Sequence, residues 1–502
     1  MVVDLSAQLD RQVNEKSKIE AMVRELLAAR RERSSERLSK DQLALFETLW
    51  QAHEAERGEA DEPGDDEPGE PPAVAGGGGA APESLPKKRG GRGPLPAHLE
   101  RKRVEHDLSE AEKHCAQCAQ DLRCIGEDTS EHYEYVPASV TVTVNVCKKY
   151  ACACTVRTAG KPPQPIEKST AGASVLAQVV TAKFADHLPL HRQEKIWARF
   201  GVEISRKTMG GWLGSLGEFL QPLYEVGKKT LFGSKVIGTD DTPVKVLDPA
   251  LDFARKGRIW PYVGDGEHPV VIFDYTPTRE RAGPEKFLAG YQGYLQADAY
   301  GGYDAFFKPG RGLTEVGCWM HARRYFHKAL ESDQARMGPA LALIARLYQV
   351  EEWAAERTAA ERQALRERLS QPVLKKLHRY LLELQPEVLP KSPAAAAVRY
   401  ALNQWEALNR FAADGDLPID NGAAERNNRS FAIGRNNWTF FGSDQGGRTA
   451  AVLASFVASC QRAGVNPFEW FRDVLTRLAA GHPVNRLAEL LPHNWKPAVA
   501  GA

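Results

Sequence analysis

The sequence predicts a multidomain α+β protein in which helical regions flank a mixed α/β domain. Three observations support this fold class. Short segments with the length and composition of strands occur between residues 235 and 318, the stretches on either side are rich in helix-forming residues, and six of the eight cysteines fall between residues 115 and 154. A chain of 502 residues is long enough for several domains, and 42% hydrophobic with 26% charged residues is typical of a globular protein.

Residues 1–57 are predicted to form a coiled-coil helix. Between residues 2 and 29, apolar side chains recur at heptad spacing, and two polar residues interrupt them. A seam this narrow favours pairing with a second helix, and polar seam residues can set the register. The alternative is a single helix that packs on its own domain. The apolar seam positions are Val2, Leu5, Leu9, Ile19, Val23 and Leu26.

Residues 58–110 combine an acidic linker with a basic arm. From residue 58 to 81 the chain is rich in Asp, Glu, Pro and Gly, a composition that cannot bury a hydrophobic core. The following stretch, LPKKRGGRGPLPAHLERKR, places Lys87, Lys88 and Arg89 among glycines and prolines. A charge run is usually a solvated surface, but one beside a metal-binding module is a candidate for contacts with nucleic-acid phosphates.

Residues 111–160 are predicted to form a zinc-ribbon-like β module. A Cys-x-x-Cys pair is the usual first half of a structural zinc site, and the β-rich stretch HYEYVPASVTVTVNV leads to further cysteines. In a chain that shows no export signal, such clustering favours metal binding over disulfides. Cys147 is the substitute ligand, Cys124 is a bystander, and a metal-free module held by packing is the alternative. The predicted zinc ligands are Cys115, Cys118, Cys152 and Cys154.

Residues 161–232 are predicted to be helical. A helix that starts at Pro189 is expected to run to Phe200 and to be stopped by Gly201, and Ser205 is expected to cap the next helix. The pair resembles a helix-turn-helix, whose second helix enters the major groove of DNA near its N-terminus. Plain helical packing is the alternative, because the aromatic residues of these helices would serve a core equally well. The predicted DNA contacts of this region are Arg206 and Lys207.

Residues 233–332 alternate between strands and helices. The predicted elements are strands 235–247, 258–264 and 269–275, helix 281–289, strand 293–297, helix 302–307 and strand 313–318. This β-β-β-α-β-α-β order matches the RNase H-like fold. The first and fourth strands are neighbours in that fold, so acidic residues on these two strands would meet.

Four carboxylates stand out in this region and in residues 417–448. Asp240 and Asp241 interrupt an otherwise apolar strand, Asp298 follows the fourth strand, and Glu425 lies in a helix-capable run. Buried carboxylates are costly unless they are paired or bind a metal, so we predict that one of the two adjacent aspartates, together with Asp298 and Glu425, holds two divalent ions, Mg²⁺ or Mn²⁺. Consecutive strand residues point to opposite faces, so only one of the adjacent aspartates can face this site. A turn at Asp-Thr-Pro is the alternative.

The remaining regions are predicted to be helical. Residues 333–416 are too long for a loop in a compact domain, and they separate Asp298 from Glu425. Residues 449–502 contain two helices that form a C-terminal helical cap, with Cys460 in the core. Cys318 and His321 form a partial metal-binding pair, although their spacing alone is weak support.

Several motifs occur in a fixed order along the chain: DDTPV, LQADAYGGY, GCWMHARRYF, IDNGAAER, GRNNW and GSDQGG. In this order they resemble the DDE transposases of the insertion-sequence 66 family. The resemblance implies an enzyme that hydrolyses the phosphodiester at a transposon end and then joins the freed 3′-OH to target DNA. It also implies a leucine-zipper-like N-terminal segment and a helical insertion between the second Asp and the Glu. KKYACACT departs from the family, since Cys-x-Cys replaces Cys-x-x-Cys and Thr155 stands where a ligand is expected.

The resemblance favours Asp240 over Asp241 as the first catalytic acid. It also implies DNA contacts near the three acids. On the helix of Glu425, Arg429 lies four positions further on and shares its face, so it is a sharper candidate for phosphate binding than Arg426. A structural role is the alternative for the residues in GCWMHARRYF. The other predicted DNA contacts are His321, Arg323, Arg324, Asn421, Arg435, Asn436 and Trp438.

The expected partners follow from the same resemblance. They are double-stranded DNA, a second copy of the chain bound through the N-terminal helix, and accessory transposition proteins of the kind found in related systems. The absence of a long apolar run or a signal-peptide core predicts a cytoplasmic, nucleoid-associated protein. Two other function classes stay open: a DNA-binding regulator that no longer cleaves, and an RNase H-like nuclease that cuts without joining.

Overall fold

The structure is a computed structural model that describes residues 39–56, 139–151 and 156–497. Contacts divide the chain into two compact units, residues 1–71 with 145–502 and residues 72–144. The predicted coiled-coil seam, the basic arm and all four predicted zinc ligands lie outside the described residues, and they stay predictions. Cys147, the substitute ligand, is half-buried, and its Sγ lies 3.8 Å from the carbonyl oxygen of Gly160.

Helices make up most of the described chain. The α-helices are α1 (Lys40–Glu56), α2 (Ala173–Phe184), α3 (Leu190–Arg199), α4 (Arg206–Phe219), α5 (Gln221–Leu231), α6 (Ala282–Phe287), α7 (Trp319–Ala329), α8 (Gln334–Ala354), α9 (Ala359–Leu365), α10 (Gln371–Glu387), α11 (Pro393–Asn403), α12 (Trp405–Asn409), α13 (Gly422–Trp438), α14 (Asp444–Arg462) and α15 (Pro467–Ala479). The strands are β1 (Lys149–Ala151), β2 (Val156–Thr158), β3 (Val236–Thr239), β4 (Thr242–Val246), β5 (Arg255–Val263), β6 (Val271–Thr276), β7 (Gly293–Gln296) and β8 (Leu313–Val316).

A six-stranded mixed sheet forms the centre of the larger unit. Its strands are ordered β4-β5-β3-β7-β8, and β6 also pairs with β5. Strands β3, β4 and β6 are antiparallel to β5, whereas β3, β7 and β8 are parallel to one another. The first and fourth predicted strands therefore correspond to direct neighbours, β3 and β7. Together with the surrounding helices, this mixed sheet bears out the α+β class.

The first predicted strand is interrupted rather than continuous. Thr239 at the end of β3 lies opposite Tyr262, and Thr242 at the start of β4 lies opposite Ile259. The two strands thus keep one register along β5, and only two aspartates separate them. Pro261 stands opposite this gap, and it has no N–H group with which to donate a ladder hydrogen bond.

The predicted helix 302–307 is wrong, because these residues form turns and bends. Tyr303 and Phe306 are both buried and lie three residues apart, a spacing that mimics a helix face. Their rings pack on aromatic neighbours instead, with the centroid of Tyr303 lying 6.2 Å from that of Trp260. Two glycines directly before Tyr303 also lower the helix propensity of the segment.

Helix α14 packs on the sheet through hydrogen bonds between two of its serines and the backbone of β6. The Val271 N–H donates to Ser459 Oγ at 2.9 Å, and the Phe273 N–H donates to Ser455 Oγ at 2.8 Å. Ser459 Oγ in turn donates to the Val271 carbonyl oxygen at 3.0 Å. Within the described sheet, β6 pairs only with β5, so the helix satisfies backbone groups that an edge strand would otherwise leave open.

The region between residues 333 and 416 is helical, as predicted, and contains most of a second hydrophobic cluster. Helices α8 to α12 lie in this region. Helix α1 packs on it: Phe46 is buried in the same cluster, and Glu47 pairs with Arg346 at 3.3 Å. The described part of residues 1–57 is therefore a helix docked on the insertion.

Arg366 is a buried charge at the centre of this insertion. It begins a short π-helical segment, Arg366–Ser370, and its side chain is 2% exposed. Nε and Nη2 donate to the two carboxylate oxygens of Glu351 at 2.8 and 2.6 Å. Nη1 donates to the carbonyl oxygens of Phe411 and Asp414 at 2.7 and 2.8 Å. Arg366 thus ties α8 to the segment that leads towards α13.

The C-terminal region is helical as predicted, and Cys460 is fully buried in the core that it shares with the sheet. Trp470 of α15 stacks on Phe456 of α14 with ring centroids 5.0 Å apart. None of the described helices has the length and apolar character of a membrane span.

Candidate active site

Asp240 and Asp298 follow the ends of two neighbouring parallel strands. The register pairs Gly238 of β3 with Gln296 of β7. Continuing it by two residues brings Asp240 level with Asp298. Burial and the negative charge of Asp240 raise the pKa of Asp298 above its usual range. The mutual repulsion of the two carboxylates is what a cation between them would relieve.

The adjacent aspartates have different environments. Asp240 Oδ1 accepts from the Asp241 N–H at 2.8 Å, and its Oδ2 accepts from Asn428 Nδ2 at 2.8 Å. The side chain of Asp241 is only 4% exposed and binds two arginines. Its Oδ2 accepts from Arg258 Nη1 at 2.6 Å, and its Oδ1 accepts from Arg279 at 2.7 and 2.9 Å. Asp241 is therefore neutralised by ion pairs, whereas Asp240 is held by amide donors.

Helix α13 is anchored across the end of β3 by two asparagines. Asn421, directly before the helix, donates from Nδ2 to the Thr239 carbonyl oxygen at 2.6 Å. Asn428 donates to Asp240, as described above. Glu425 lies four residues after the first asparagine and three before the second, so it occupies the same helix face. Gly238 permits this approach, since a Cβ there would lie 2.6 Å from Asn421 Oδ1.

Glu425 points towards residues of α7. Its Oε2 accepts from Arg324 Nη2 at 3.2 Å, and its Oε1 lies 3.4 Å from His321 Nδ1. The electrostatic effect of His321 also lowers the pKa of Asp298, although burial outweighs it. His321 is thus close enough to act on two of the predicted acids. Asn428 links the Glu425 helix to the third acid, Asp240.

Several polar atoms around this point have no hydrogen-bond partner in the part of the chain that the structure describes. Buried oxygen acceptors without a donor are uncommon in folded proteins, and a bound cation would satisfy them. The carboxylate and amide oxygens are hard donors of the kind that Mg²⁺ and Mn²⁺ prefer, so their chemistry fits such ions. Among the described residues, the ligand atoms of Glu425 group within 4.8 Å with those of Cys318 and His321 rather than with those of Asp240 and Asp298. The unpartnered atoms are Glu425 Oε1, Asn421 Oδ1, Asn428 Oδ1 and His321 Nδ1.

The other predicted DNA contacts on α13 differ in their surroundings. Arg426 and Arg429 are exposed. Arg435 donates from Nη1 to Thr242 Oγ1 at 3.0 Å and to the Pro243 carbonyl oxygen at 2.9 Å, so it fastens the helix to β4. Asn421 is 1% exposed, which makes it an anchor of the helix rather than a surface group for DNA.

The helix pair predicted before the sheet is formed by α3 and α4. Gly201 follows the first helix with a φ of 72°, a conformation that favours glycine. Ser205 caps α4, because its Oγ accepts from the Thr208 N–H at 3.1 Å. Arg206 and Lys207 are exposed in the first turn of α4, as a DNA contact requires. Their role in DNA binding stays a prediction.

Trp438 lies at the end of α13 and packs against other side chains. Its ring stacks on Phe441 with centroids 4.8 Å apart. Lys183 Nζ lies 5.6 Å from the Trp438 ring centroid and equally far from that of Phe184. Burial lowers the pKa of Lys183 to about 8. The charged form of this lysine is therefore less stable in the folded protein than in the unfolded chain.

Replacing Lys183 by Met is expected to stabilise the fold at pH 7, by about 1–2 kcal/mol, because it removes a poorly solvated charge. An unfolded lysine keeps a pKa of about 10.4, so the unfolded state binds more protons than the folded state between pH ~8 and that value. The stability of the parent should therefore rise with pH across this window. Hydrogen exchange in α2, corrected for the pH dependence of intrinsic exchange, should show that local stability depends less on pH in Lys183→Met. The exposed Lys207→Met is the control, and equal pH dependence in parent and Lys183→Met would contradict the expectation.

Sequence reasoning missed Asn428, Arg258 and Arg279. Asn428 follows Glu425 by three residues, so helical spacing alone offered a signal for it. The two arginines lie on β5 and after β6, and no local pattern indicates that both reach Asp241. Arg279 also packs over the Tyr300 ring, 4.0 Å from its centroid. Asp241 therefore has its partners in segments that only the fold brings together.

Family models match the chain from its N-terminal region to its C-terminal region. A model described as the transposase IS66 family matches residues 168–449, and one described as the IS66 C-terminal element matches residues 455–493. A zinc-finger binding domain of transposase IS66 matches residues 112–155. A model described as "Transposase C of IS166 homeodomain" matches residues 18–104.

The chain is also similar to three proteins of Sinorhizobium fredii, each named only as an uncharacterized protein. It is 33% identical to y4jD over 425 residues, covering 81% of this chain and 82% of that protein. It is 31% identical to y4hP over 509 residues, covering 96% of this chain and 89% of that protein. It is 35% identical to y4qI over 440 residues, covering 84% of this chain and 80% of that protein.

Proposed function

Because the chain belongs to the IS66 family of transposases, we propose that it cleaves the ends of an insertion sequence and joins them to target DNA. The catalytic residues of this proposal are Asp240, Asp298 and Glu425. One observation supports it most strongly: two strand ends and one helix meet at this point. Asp240 and Asp298 follow the ends of the neighbouring parallel strands β3 and β7. Helix α13 is hydrogen-bonded to the end of β3 and to Asp240 through Asn421 and Asn428. The strand order and directions support assigning the sheet to the RNase H-like fold.

The three acids would hold two divalent ions, Mg²⁺ or Mn²⁺. When bound, such ions activate the attacking oxygen and stabilise the leaving oxygen of an in-line displacement at phosphorus. Asn428 orients Asp240, and Arg324 orients Glu425, so the ligands are positioned before DNA binds. Asp241 would keep Arg258 and Arg279 in place beside the site rather than bind the ions.

DNA would be bound by cationic groups around these acids and by the modules before them. Arg426 and Arg429 are exposed on the Glu425 helix, and Arg206 and Lys207 are exposed at the start of α4. Basic groups supply the part of DNA affinity that depends on phosphate neutralisation and falls with salt. The basic arm, residues 87–89, is assigned to the same task.

Purified full-length protein, incubated with DNA that carries the ends of its element, tests the proposal. With Mg²⁺ we expect both nicked ends with a free 3′-OH and products joined to a target plasmid, and neither product with EDTA. Cleavage without joining would instead favour the nuclease, and specific binding without cleavage would favour the regulator. The presence of all three acids weighs against the regulator.

Zinc is expected to occupy the cysteine module, where the chain matches a zinc-finger model. Elemental analysis of dialysed full-length protein should find tightly held zinc, and Cys115→Ser should lose it because a structural site needs its four ligands. Cys124→Ser, the bystander, should keep it. Protein that is free of zinc, or a Cys115→Ser variant that retains the parent's zinc, would remove this prediction.

Self-association through the N-terminal helix is expected because a transposon has two ends, and a coiled coil brings two chains together. Ile19→Lys places a charge in the apolar seam and should shift the sedimentation of the full chain towards a smaller species. Glu25→Lys, on the side of the helix away from the seam, should not. If both variants sediment like the parent, the coiled-coil assignment fails. Partners beyond DNA and a second copy would be accessory transposition proteins.

A further inference from the structure

A second group of ligand atoms lies beside the proposed catalytic acids. Cys318 directly precedes α7, His321 lies in the first turn of that helix, and Glu425 lies in the first turn of α13. One ligand atom from each residue lies within 4.8 Å of the others. The three residues thus converge from two helix starts that are far apart in sequence.

The geometry of this group suits a small tetrahedral ion. His321 Nδ1 and Glu425 Oε1 are 3.4 Å apart. Metal–nitrogen and metal–oxygen distances of about 2.0–2.2 Å would place such a pair roughly 3.3–3.5 Å apart in a tetrahedral site. Both atoms are buried, and neither has a hydrogen-bond partner among the residues that the structure describes. An ion between them would satisfy both.

The sulfur of Cys318 lies within reach of the same ion. Its side chain is fully buried, and its Sγ accepts from the Asn421 N–H at 3.3 Å. Burial raises the pKa of the Cys318 thiol to about 12 and outweighs this donor, so a bound ion would have to displace the thiol proton, as at other thiolate ligands. A thiolate, an imidazole and a carboxylate together select a zinc-like transition metal over Mg²⁺. Arg324 on Glu425 Oε2 would orient the carboxylate from outside.

We propose that Cys318 Sγ, His321 Nδ1 and Glu425 Oε1 bind one thiophilic divalent ion, such as Zn²⁺, with a fourth position open to water. Glu425 is shared with the proposed catalytic site. An ion in this group therefore withdraws a carboxylate from Asp240 and Asp298, and it inhibits Mg²⁺-dependent cleavage. The inhibition rests on the proposed function, whereas the binding of the ion does not.

Cobalt binding tests the site without any activity assay. Thiolate ligation of Co²⁺ gives a charge-transfer absorption, and the cysteine module also contributes to it in the full chain, so the measurement compares variants. We expect Cys318→Ser and His321→Gln each to bind one Co²⁺ ion per chain fewer than the parent. Cys460→Ser removes another fully buried thiol, on α14, and is expected to match the parent.

The outcomes separate the site from the proposed function. Equal cobalt stoichiometry in the parent, Cys318→Ser and His321→Gln would overturn the site, whatever the protein does to DNA. The His321→Gln variant keeps the test decisive if loss of the buried thiol prevents folding. In the cleavage reaction, added Zn²⁺ should inhibit the parent, and His321→Gln should lose that inhibition relative to its own rate without zinc. A parent that shows the cobalt difference but does not cleave DNA would overturn the proposed function and leave the site standing.

Discussion

Glu425→Gln is expected to lower strand cleavage by orders of magnitude while DNA affinity changes little. The substitution keeps the size and hydrogen-bonding reach of the side chain, but it removes the negative charge that holds a hard cation. DNA affinity depends instead on lysines and arginines that neutralise phosphates. Cleavage of labelled transposon-end DNA and a binding titration on the same variant measure the two effects separately.

The same result is expected for Asp240→Asn and Asp298→Asn. Asp304→Asn is the matched control for Asp298, because it changes an exposed acid only six residues further along the same loop. Asp241→Asn should lower the stability of the protein, since it weakens the ion pairs with Arg258 and Arg279. The protein that still folds should cleave transposon-end DNA. An active Glu425→Gln, or an inactive Asp304→Asn, would show that the assignment of the three acids is wrong.

Arg366→Met is expected to destabilise the helical insertion by about 3–5 kcal/mol, because removing one partner of a buried ion pair leaves the other uncompensated. It would leave Glu351 and the carbonyl oxygens of Phe411 and Asp414 without their donor. A chain of several domains does not unfold in one step, so hydrogen exchange in α8 and α10 is a better measure than a single melting temperature.

Arg368→Met is the control for this substitution. It changes an arginine two residues away that is exposed. If exchange in α8 and α10 accelerates equally in the two variants, the ion pair does not hold the insertion together. A double variant, Arg366→Met with Glu351→Met, should recover part of the lost stability, since it removes both charges of the pair.

Asp240 and Asp298 could be nominated from the sequence because each violates a local rule, and their role as metal ligands stays a proposal. A carboxylate inside or directly after an apolar strand has no packing role, which singled out Asp240 and Asp298. The choice between Asp240 and Asp241 was not accessible to the same reasoning, since alternation only says that one of them faces away. What distinguishes the two aspartates is their partners: Asp240 is bound by Asn428, and Asp241 is bound by two arginines. These partners come from segments that are distant in the sequence.

The errors have a similar origin. Periodicity cannot distinguish a helix from turns in which Tyr303 packs on Trp260 of the sheet and Phe306 packs on Tyr303. The interruption of the first strand depends on what lies opposite it, and the register with β5 is set by the whole sheet. Arg366, within a helix of ordinary composition, gives no sign of its buried contacts.

The two serines of α14 have a consequence for how the sheet ends. Two residues of a strand advance by about 6.6 Å and four residues of a helix by about 6.0 Å, so the two repeats are nearly commensurate. Ser455 and Ser459 can therefore meet alternate amides of β6 as a neighbouring strand would. Unlike a strand, the helix makes its backbone hydrogen bonds internally, so it presents no unpaired N–H or C=O groups to which another strand could add. Sheet growth terminates at this helix, and a second chain has no template there on which to extend it.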